Sequence, residues 1–404
     1  MRVLIWATTL QADVLALAHG LEQQADCELM LAAEHPNTYH KEPIARYKPL
    51  ACTIYDRSAD GIRKRVEAFA PDVIVADNHI PTFPRGTRFC TMWHGLGWKA
   101  RGQDDLSSFY KEVKRLTGVE PRQPNDRFLA QCYGESDTRW RIDSWRLDAD
   151  SCKTIGMCFS DLLLKPPYSK NELQPYYDID IVNRKVVLLS ISWHYGRILA
   201  EHQDKRRIFS KHEGLLADMD FLAKTLACIE QAGAGCILCL HDRQRYEKEF
   251  LQTLYHTVRQ FSDVQVKHKS RHPDNLADLC VADVMATNLS SFITYFYFFG
   301  RPSIHIVPVA SQDESPSYAQ LKNGKVSYRT VKAEEALWMN EPKDNGGLTA
   351  RSFDELKAGI IRGLNKPECC AERSADWIAR HVHQPDGKTA QRFFQVLRDF
   401  VGDC

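Results

Sequence analysis

Short apolar runs separated by amphipathic stretches make up most of this chain. In the first 165 residues "RVLIWA", "CELMLAA", "CTIYD", "PDVIVADN" and "RFCTMWHG" read as strands, with helices over Gln11 to Gln24 and Gly61 to Phe69. Short β-rich runs alternating with amphipathic helices predict a parallel, doubly wound sheet. From 166 to 184 the text changes to "PPYSKNELQPYYDIDIVNR", rich in Pro and Tyr and without helical period, which reads as a linker. The alternation then resumes: "KVVLLSIS", a helix around Leu216 to Gln231, "CILCLHD", a helix from Arg245 to Gln260, "VQVKHK", a helix from Asn275 to Val281, "VMATN", an aromatic helix and "PSIHIV". The closing "GKTAQRFFQVLRDFV" is an amphipathic helix expected to lie back across the first half. The expected division is a first α/β domain at 1–165, a linker at 166–184, a second α/β domain at 185–380 and a C-terminal helical segment at 381–404. A chain of 404 residues exceeds the roughly 250 to 300 at which one core stops growing, which also favours two domains.

Ligands of open parallel sheets gather beyond the carboxyl ends of the strands. The polar motifs fall there: Trp93, His94 and Gly95; Ser192, Trp193 and His194; His241 and Asp242; and the turn Thr287, Asn288, Leu289, Ser290, Ser291. That last turn joins a strand to the aromatic helix inside "VMATNLSSFITYFYFFGRPSIHIVP". Gly300, Arg301 and Pro302 cut the apolar stretch well short of the ~20 residues of a membrane helix, so it reads as buried strand, turn and helix. Ser hydroxyls at a helix start can donate to an anion. In "TMWHGLGWKA", His94 follows a strand, Gly95 and Gly97 admit a ligand to the backbone, and Lys99 is near. An imidazole there suits a general base, and equally a loop histidine bonded to a carbonyl. His241, with Arg243 as a second cation, is a candidate to stabilise a phosphate or to be a satisfied structural histidine.

Several other motifs carry no chemistry. Cys236 and Cys239 point to opposite faces of one strand and read as core, so no metal site is expected. "DGKTAQR" fails as a phosphate loop because position 382 is Val where Gly is needed. The acidic triplets at Asp148, Asp178 and Asp218 read as solvated, and His272, His381 and His383 as surface or capping residues. With 53 Lys plus Arg against 52 Asp plus Glu, bulk electrostatics do not suit a nucleic-acid binder. Thirteen scattered cysteines suit a reducing cytoplasm, and the N-terminal run, broken at Thr8 and Thr9, suits a first strand better than a secretory signal.

Taken in order, the motifs resemble those of the CDP-glycerol glycerophosphotransferase family, the teichoic-acid and capsule polymerases and primases. Trp93, His94, Gly95 and Lys99 match its "WHG" block with the following Lys. "GMCFSD" at Gly156 to Asp161 approximates a "GxPxxD" turn, and "ISWH" at Ile191 to His194 partly matches "PTWR". His241 stands where an "HP" strand end is found. "LADLCVADVMATNLSSFITYFYFFGRP" follows the block "LLxxaDvlITDYSSxxfDfxxxxkP", with Asn288 in place of Asp and Leu289 in place of Tyr. "NGGLTARSFDEL" and "DGKTAQR" resemble two downstream segments.

The resemblance implies two Rossmann-like domains of GT-B type facing a central cleft. It implies a transferase that moves a phosphopolyol from a CDP-activated donor to a hydroxyl of a surface glycan or lipid-linked acceptor, with no cofactor. His94 would deprotonate the acceptor and His241 would stabilise charge on the phosphate or leaving group. Thr287, Asn288, Ser290, Ser291, Arg243, Lys99 and Gly95 would form the donor and phosphate site. The expected setting is the cytoplasm, with peripheral contact at the inner face of the membrane through "SFYKEVKRL" at Ser108 to Leu116. The alternatives are a GT-B glycosyltransferase or sugar-nucleotide epimerase using a UDP- or GDP-sugar, and a non-catalytic binding subunit.

Overall fold

In the computed structural model, the residues described are 1–77, 79–93, 95–96, 103–190, 207–209, 219–240, 248–268, 271–272, 274–287, 290–306, 317–322, 325–330 and 344–402. Seven strands form the first sheet: β1 Arg2–Ala7, β2 Glu28–Ala33, β3 Ile54–Asp56, β4 Val73–Ala76, β5 Arg88–Thr91, β6 Phe128–Cys132 and β7 Cys152–Thr154. Their order is β3-β2-β1-β4-β5-β6-β7 and every pairing is parallel. The second half contributes β8 Val186–Ser190, β9 Arg207–Phe209, β10 Gly235–Leu240, β11 Val264–His268, β12 Val284–Thr287, β13 Ser303–Ile306, β14 Ser317–Lys322, β15 Lys325–Thr330 and β16 Leu348–Ala350. A parallel six-stranded sheet runs β11-β10-β8-β12-β13-β16, and an antiparallel three-stranded sheet runs β15-β14-β9. Both large sheets reverse direction of winding beside their first strand, at β1/β4 and at β8/β12. Those reversals open the crevices in which such sheets hold ligands.

The strands read as unbroken apolar runs because both of their faces are buried. Along β1, Val3, Ile5 and Ala7 enter a core shared by the two halves, while Leu4 and Trp6 enter an outer core of the first sheet. Along β8, Val186 and Leu188 join the shared core and Val187 and Leu189 the outer core of the second sheet. Cys236 and Cys239 obey the same two-residue alternation, falling into different cores, as the spacing requires.

The stretch expected as a linker carries short helical elements, and two other sequence expectations are corrected. The 166–184 stretch contains the helix Lys170–Leu173 and a 3-10 turn at Gln174–Tyr176, the former closed by a capping box between Ser169 and Glu172. A four-residue helix is too short to complete a visible period. Gln103–Thr117 is a helix whose Leu106, Phe109, Val113 and Leu116 are buried against the first sheet. The apolar half of the Ser108 to Leu116 segment is therefore core, and only Lys111, Lys114 and Arg115 of its basic residues face outward. His381 is not a surface residue: it is buried, packed at a tilt against Trp377 with ring centroids 4.6 Å apart, and bonded to Asp344 at 2.9 Å.

The helix Thr389–Val401 packs on the helix Ala12–Glu22, where Gly20 leaves room for Ala390 that a Cβ would fill. Asp161 caps its start by accepting from the amides of Thr389 at 3.0 Å and Ala390 at 2.8 Å. The "GMCFSD" and "DGKTAQR" motifs thus meet each other, and their acidic residue serves orphan helix amides.

Candidate functional site

The Ser290–Ser291 turn follows β12 at the reversal of the second sheet. Thr287 at the end of β12 is fully buried and its hydroxyl donates to the carbonyl of Ser190 at the end of β8. That bond closes the two strands at their carboxyl ends and fixes where the turn begins. Ser290 Oγ accepts from the amide of Phe292 at 3.3 Å, which uses a lone pair and leaves the proton of the hydroxyl uncommitted by that contact. The carbonyl of Ser291 receives both the amide and the hydroxyl of Thr294. Both serines remain partly exposed.

The loop after β5 comes from the first sheet to meet this turn. Gly95 has φ +117°, and a Cβ there would lie 2.8 Å from Ser291 Oγ and 3.2 Å from the Tyr295 hydroxyl. Glycine is needed twice over, for the backbone angle and for the approach. The Gly95 amide donates to the Tyr133 hydroxyl at 2.8 Å, and that hydroxyl lies 2.7 Å from the Trp93 carbonyl.

Behind the loop lies Asp13, in the first turn of the helix after β1 and 1 % exposed. Its Oδ1 accepts from the amide of Phe159 at 2.9 Å. Its Oδ2 accepts from Tyr295 of the second half at 2.7 Å and faces Tyr133 at 3.1 Å. Burial raises the Asp13 carboxyl from its ordinary value to about 6, and the bonds from Phe159, Tyr295 and Tyr133 offset only part of that rise. Burial, with the Asp13 charge adding to it, also raises both phenols well above their usual range, so they keep their protons and act as donors.

A second contact holds the halves in place. Asp274 caps the helix Asn275–Val281 through the amides of Leu276 and Ala277, and its other oxygen accepts from the Ile44 amide at 3.1 Å. Glu42 accepts from the Asp274 amide at 3.3 Å and pairs with His272 at 3.3 Å. Asn275 donates to Gln11 at 3.1 Å. Burial first, then the charge of Glu42, lift the Asp274 carboxyl to about 7.

At the reversal of the first sheet, Thr8 and Asp77 are joined by the Thr8 amide at 3.1 Å, and Thr8 Oγ1 lies 2.9 Å from His79 Nδ1. These residues follow β1 and β4, beside the loop that carries Trp93 and Gly95. In the sequence their only signal is that "VIVADNH" ends a strand in the same way as the "WHG" and "TNLSS" motifs. Asp13 and Tyr133 carry no local signal, because their partners are far away in the chain. An open hollow of about 430 Å³ between Gln24, Asp26, Arg392 and Arg398 lies at the other end of the Ala12–Glu22 helix from Asp13, away from the strand ends.

Of the residues singled out from sequence, the structure brings Gly95 and Ser291 into contact and places Ser290 beside them, with Thr287 beneath the turn. His94, Lys99, His241, Arg243 and Asn288 lie outside the described residues.

No protein-family model matches the chain, and no curated protein matches it significantly. Solved structures do. The wall teichoic acid polymerase TagF superposes with a TM-score of 0.66 at 12% identity, covering 99% of this chain and 89% of that one, and one of its variants has been soaked with CDPG. UDP-GlcNAc 2-epimerase from Neisseria meningitidis, bound to UDP-GlcNAc, matches with a TM-score of 0.53 at 12% identity over 98% of this chain and 99% of that one. Anabaena Alr3699/HepE, in complex with UDP and glucose, gives 0.53 at 14% over 98% and 99%. At these identities the likeness shows the fold: two parallel-sheet α/β domains of GT-B type.

Proposed function

We propose that the chain is a GT-B transferase that moves a phosphopolyol, such as glycerol phosphate, from a CDP-activated donor to a hydroxyl of a surface glycan or lipid-linked acceptor. The observation that carries the reading is the meeting of Gly95 with Ser291. It joins the "WHG" loop of one sheet to the "TNLSS" turn at the reversal of the other, where ligands of such sheets bind. The ordered motifs support the same reading, as does the likeness in fold to a polymerase soaked with CDPG.

In this reading the acceptor oxygen attacks the β-phosphorus, the bond from that phosphorus to the bridging oxygen breaks, and CMP leaves. His94 takes the acceptor proton. His241 and Arg243 stabilise charge on the phosphate and leaving group, Lys99 and Asn288 contact the donor, and the Ser290 and Ser291 hydroxyls donate to the pyrophosphate. Such a reaction needs an in-line pose, a base and fixed donors aimed at the developing charge. Residues 1–165 would serve the acceptor side and 185–380 the donor side, with 166–184 joining them and 381–404 crossing back. We place the enzyme on the cytoplasmic side, in contact with the membrane surface by charge. Among the described residues no helix is long and apolar enough to cross a membrane.

A second reading is glycosyl transfer or epimerisation with a UDP- or GDP-sugar. It is favoured by Asn288 in place of the family Asp, and by neighbours holding UDP-GlcNAc or UDP and glucose. The test is a thermal-shift series with CDP-glycerol, CDP-ribitol, CMP, UDP-sugars and GDP-sugars, repeated on Ser290→Ala/Ser291→Ala. A ligand at 100 times its Kd stabilises the native state by about 2.7 kcal/mol. Stabilisation by cytidine nucleotides alone, lost in the double variant, supports phosphopolyol transfer. Stabilisation by UDP- or GDP-sugars alone overturns it in favour of the second reading.

A further inference from the structure

Tyr133 stands directly after β6, 1 % exposed. Its hydroxyl oxygen accepts from the Gly95 amide and lies within hydrogen-bond distance of the Trp93 carbonyl, the peptide groups on either side of His94 in the chain. The tyrosine is itself fixed from behind. Its backbone amide donates to Asp137 at 2.9 Å, Asp137 accepts from Arg141 Nε at 3.1 Å, and the Arg141 guanidinium lies over the rings of Trp145 at 4.5 Å and Trp93 at 5.7 Å. On its other side the hydroxyl faces Asp13, which also holds Tyr295. A line of polar contacts therefore runs from Gly95 through Tyr133 and Asp13 to Tyr295, in the helix that starts at the Ser290–Ser291 turn; the one Tyr133 proton goes to the Trp93 carbonyl at 2.7 Å or to Asp13 at 3.1 Å, not to both at once.

A phenylalanine would fill the same space, so packing does not call for the oxygen. The oxygen answers the need of a loop that has glycine at φ +117° and no side chain there with which to anchor itself. We propose that Tyr133 is a positioning residue that sets the direction of His94 by clamping the peptide groups flanking it. Through Asp13 and Tyr295 it also seats that loop against the donor turn. The proposal rests on the role given to His94 above. A displacement of about 1 Å at such a group lowers turnover by about 100-fold, because the reacting atoms must meet in a narrow range of geometry.

The test is Tyr133→Phe, read in two independent ways. CMP release from CDP-glycerol gives kcat and KM, and the 13Cε1-histidine NMR signal of His94, assigned with His94→Gln, gives the state of the imidazole without any turnover. The expected result is a fall in kcat of about 100-fold with KM within about threefold, together with a moved His94 signal and a changed titration midpoint. Loss of a merely structural hydrogen bond would lower the melting temperature and leave the His94 titration and the kcat of folded protein as in the wild type. A folded Tyr133→Phe protein with those wild-type values overturns the proposal. Absence of CMP release by the wild type from CDP-glycerol and from CDP-ribitol refutes the phosphopolyol reading, and the NMR comparison then decides the clamp by itself. If Tyr133→Phe does not fold, amide hydrogen exchange of Gly95 in the wild type takes its place: the clamp requires a protected Gly95 amide, and exchange there at the rate of a free loop amide overturns it.

Discussion

The Asp13 carboxyl ties the halves of the molecule together, and its protonation should be visible in stability. Its folded value of about 6 against an ordinary 3.8 corresponds to about 3 kcal/mol. The folded state holds the proton more tightly than the unfolded chain. The contribution is thus fully present below pH ~3.8, is lost as pH rises to about 6, and is level above that. Asp13→Asn mimics the protonated acid in shape, removes the charge and gives up an acceptor for one phenol, at about 1 kcal/mol. From the two pKa values, about 1 of the 3 kcal/mol is already lost by pH 4.5, so about 2 remain to be lost between pH 4.5 and 8. The variant should equal the wild type near pH 4.5 and be more stable by about 2 kcal/mol at pH 8. The assay is urea unfolding of both proteins by tryptophan fluorescence across that range. Subtracting one curve from the other removes every other titrating group, including Asp274, whose raised value acts with the same sign. A difference that stays constant with pH would refute the account of Asp13 as a carboxyl held protonated by burial.

Other expectations follow from single contacts. Gly95→Ala should lose about 1–3 kcal/mol from backbone strain and contact with Ser291, and should abolish any nucleotide-induced rise in melting temperature. A variant that melts and responds like the wild type would remove the close approach from the site. Lys267 and Asp278 form a buried pair at 2.6 Å, and Asp278 also accepts from Tyr177 at 2.7 Å. Asp278→Ala should cost about 3–5 kcal/mol in urea unfolding by leaving a buried cation, and Lys267→Met with Asp278→Leu clearly less. Asp161→Ala should cost about 1 kcal/mol and speed amide hydrogen exchange in the first turn of the Thr389–Val401 helix. Unchanged exchange there would mean that Asp161 is not its cap.

Periodicity alone carried the architecture a long way. The β1, β2, β4, β8, β10 and β12 runs are apolar on consecutive residues because both faces are buried, and that pattern is written directly in the chain. β6, "FLAQC", β7, "CKT", and β16, "LTA", escaped notice because they are short or broken by polar residues. The antiparallel strands "SYAQLK" and "KVSYRT" carry no apolar run at all. Motifs at strand ends drew attention to Gly95, Ser290 and Ser291, since ligand sites of this architecture cluster there. Tertiary structure alone decided that Gly95 touches Ser291, that Thr287 closes β8 against β12, and that Asp161 caps a helix 228 residues onward. It also decided the role of Asp13 and Tyr133, which are 120 residues apart, with Tyr295 a further 162 residues on in the chain. A hydrogen bond depends on distance in space, and composition, spacing and period describe only distance along the chain. A buried Asp in an apolar helix start looks like any first-turn acid until the two tyrosines that hold it are brought beside it.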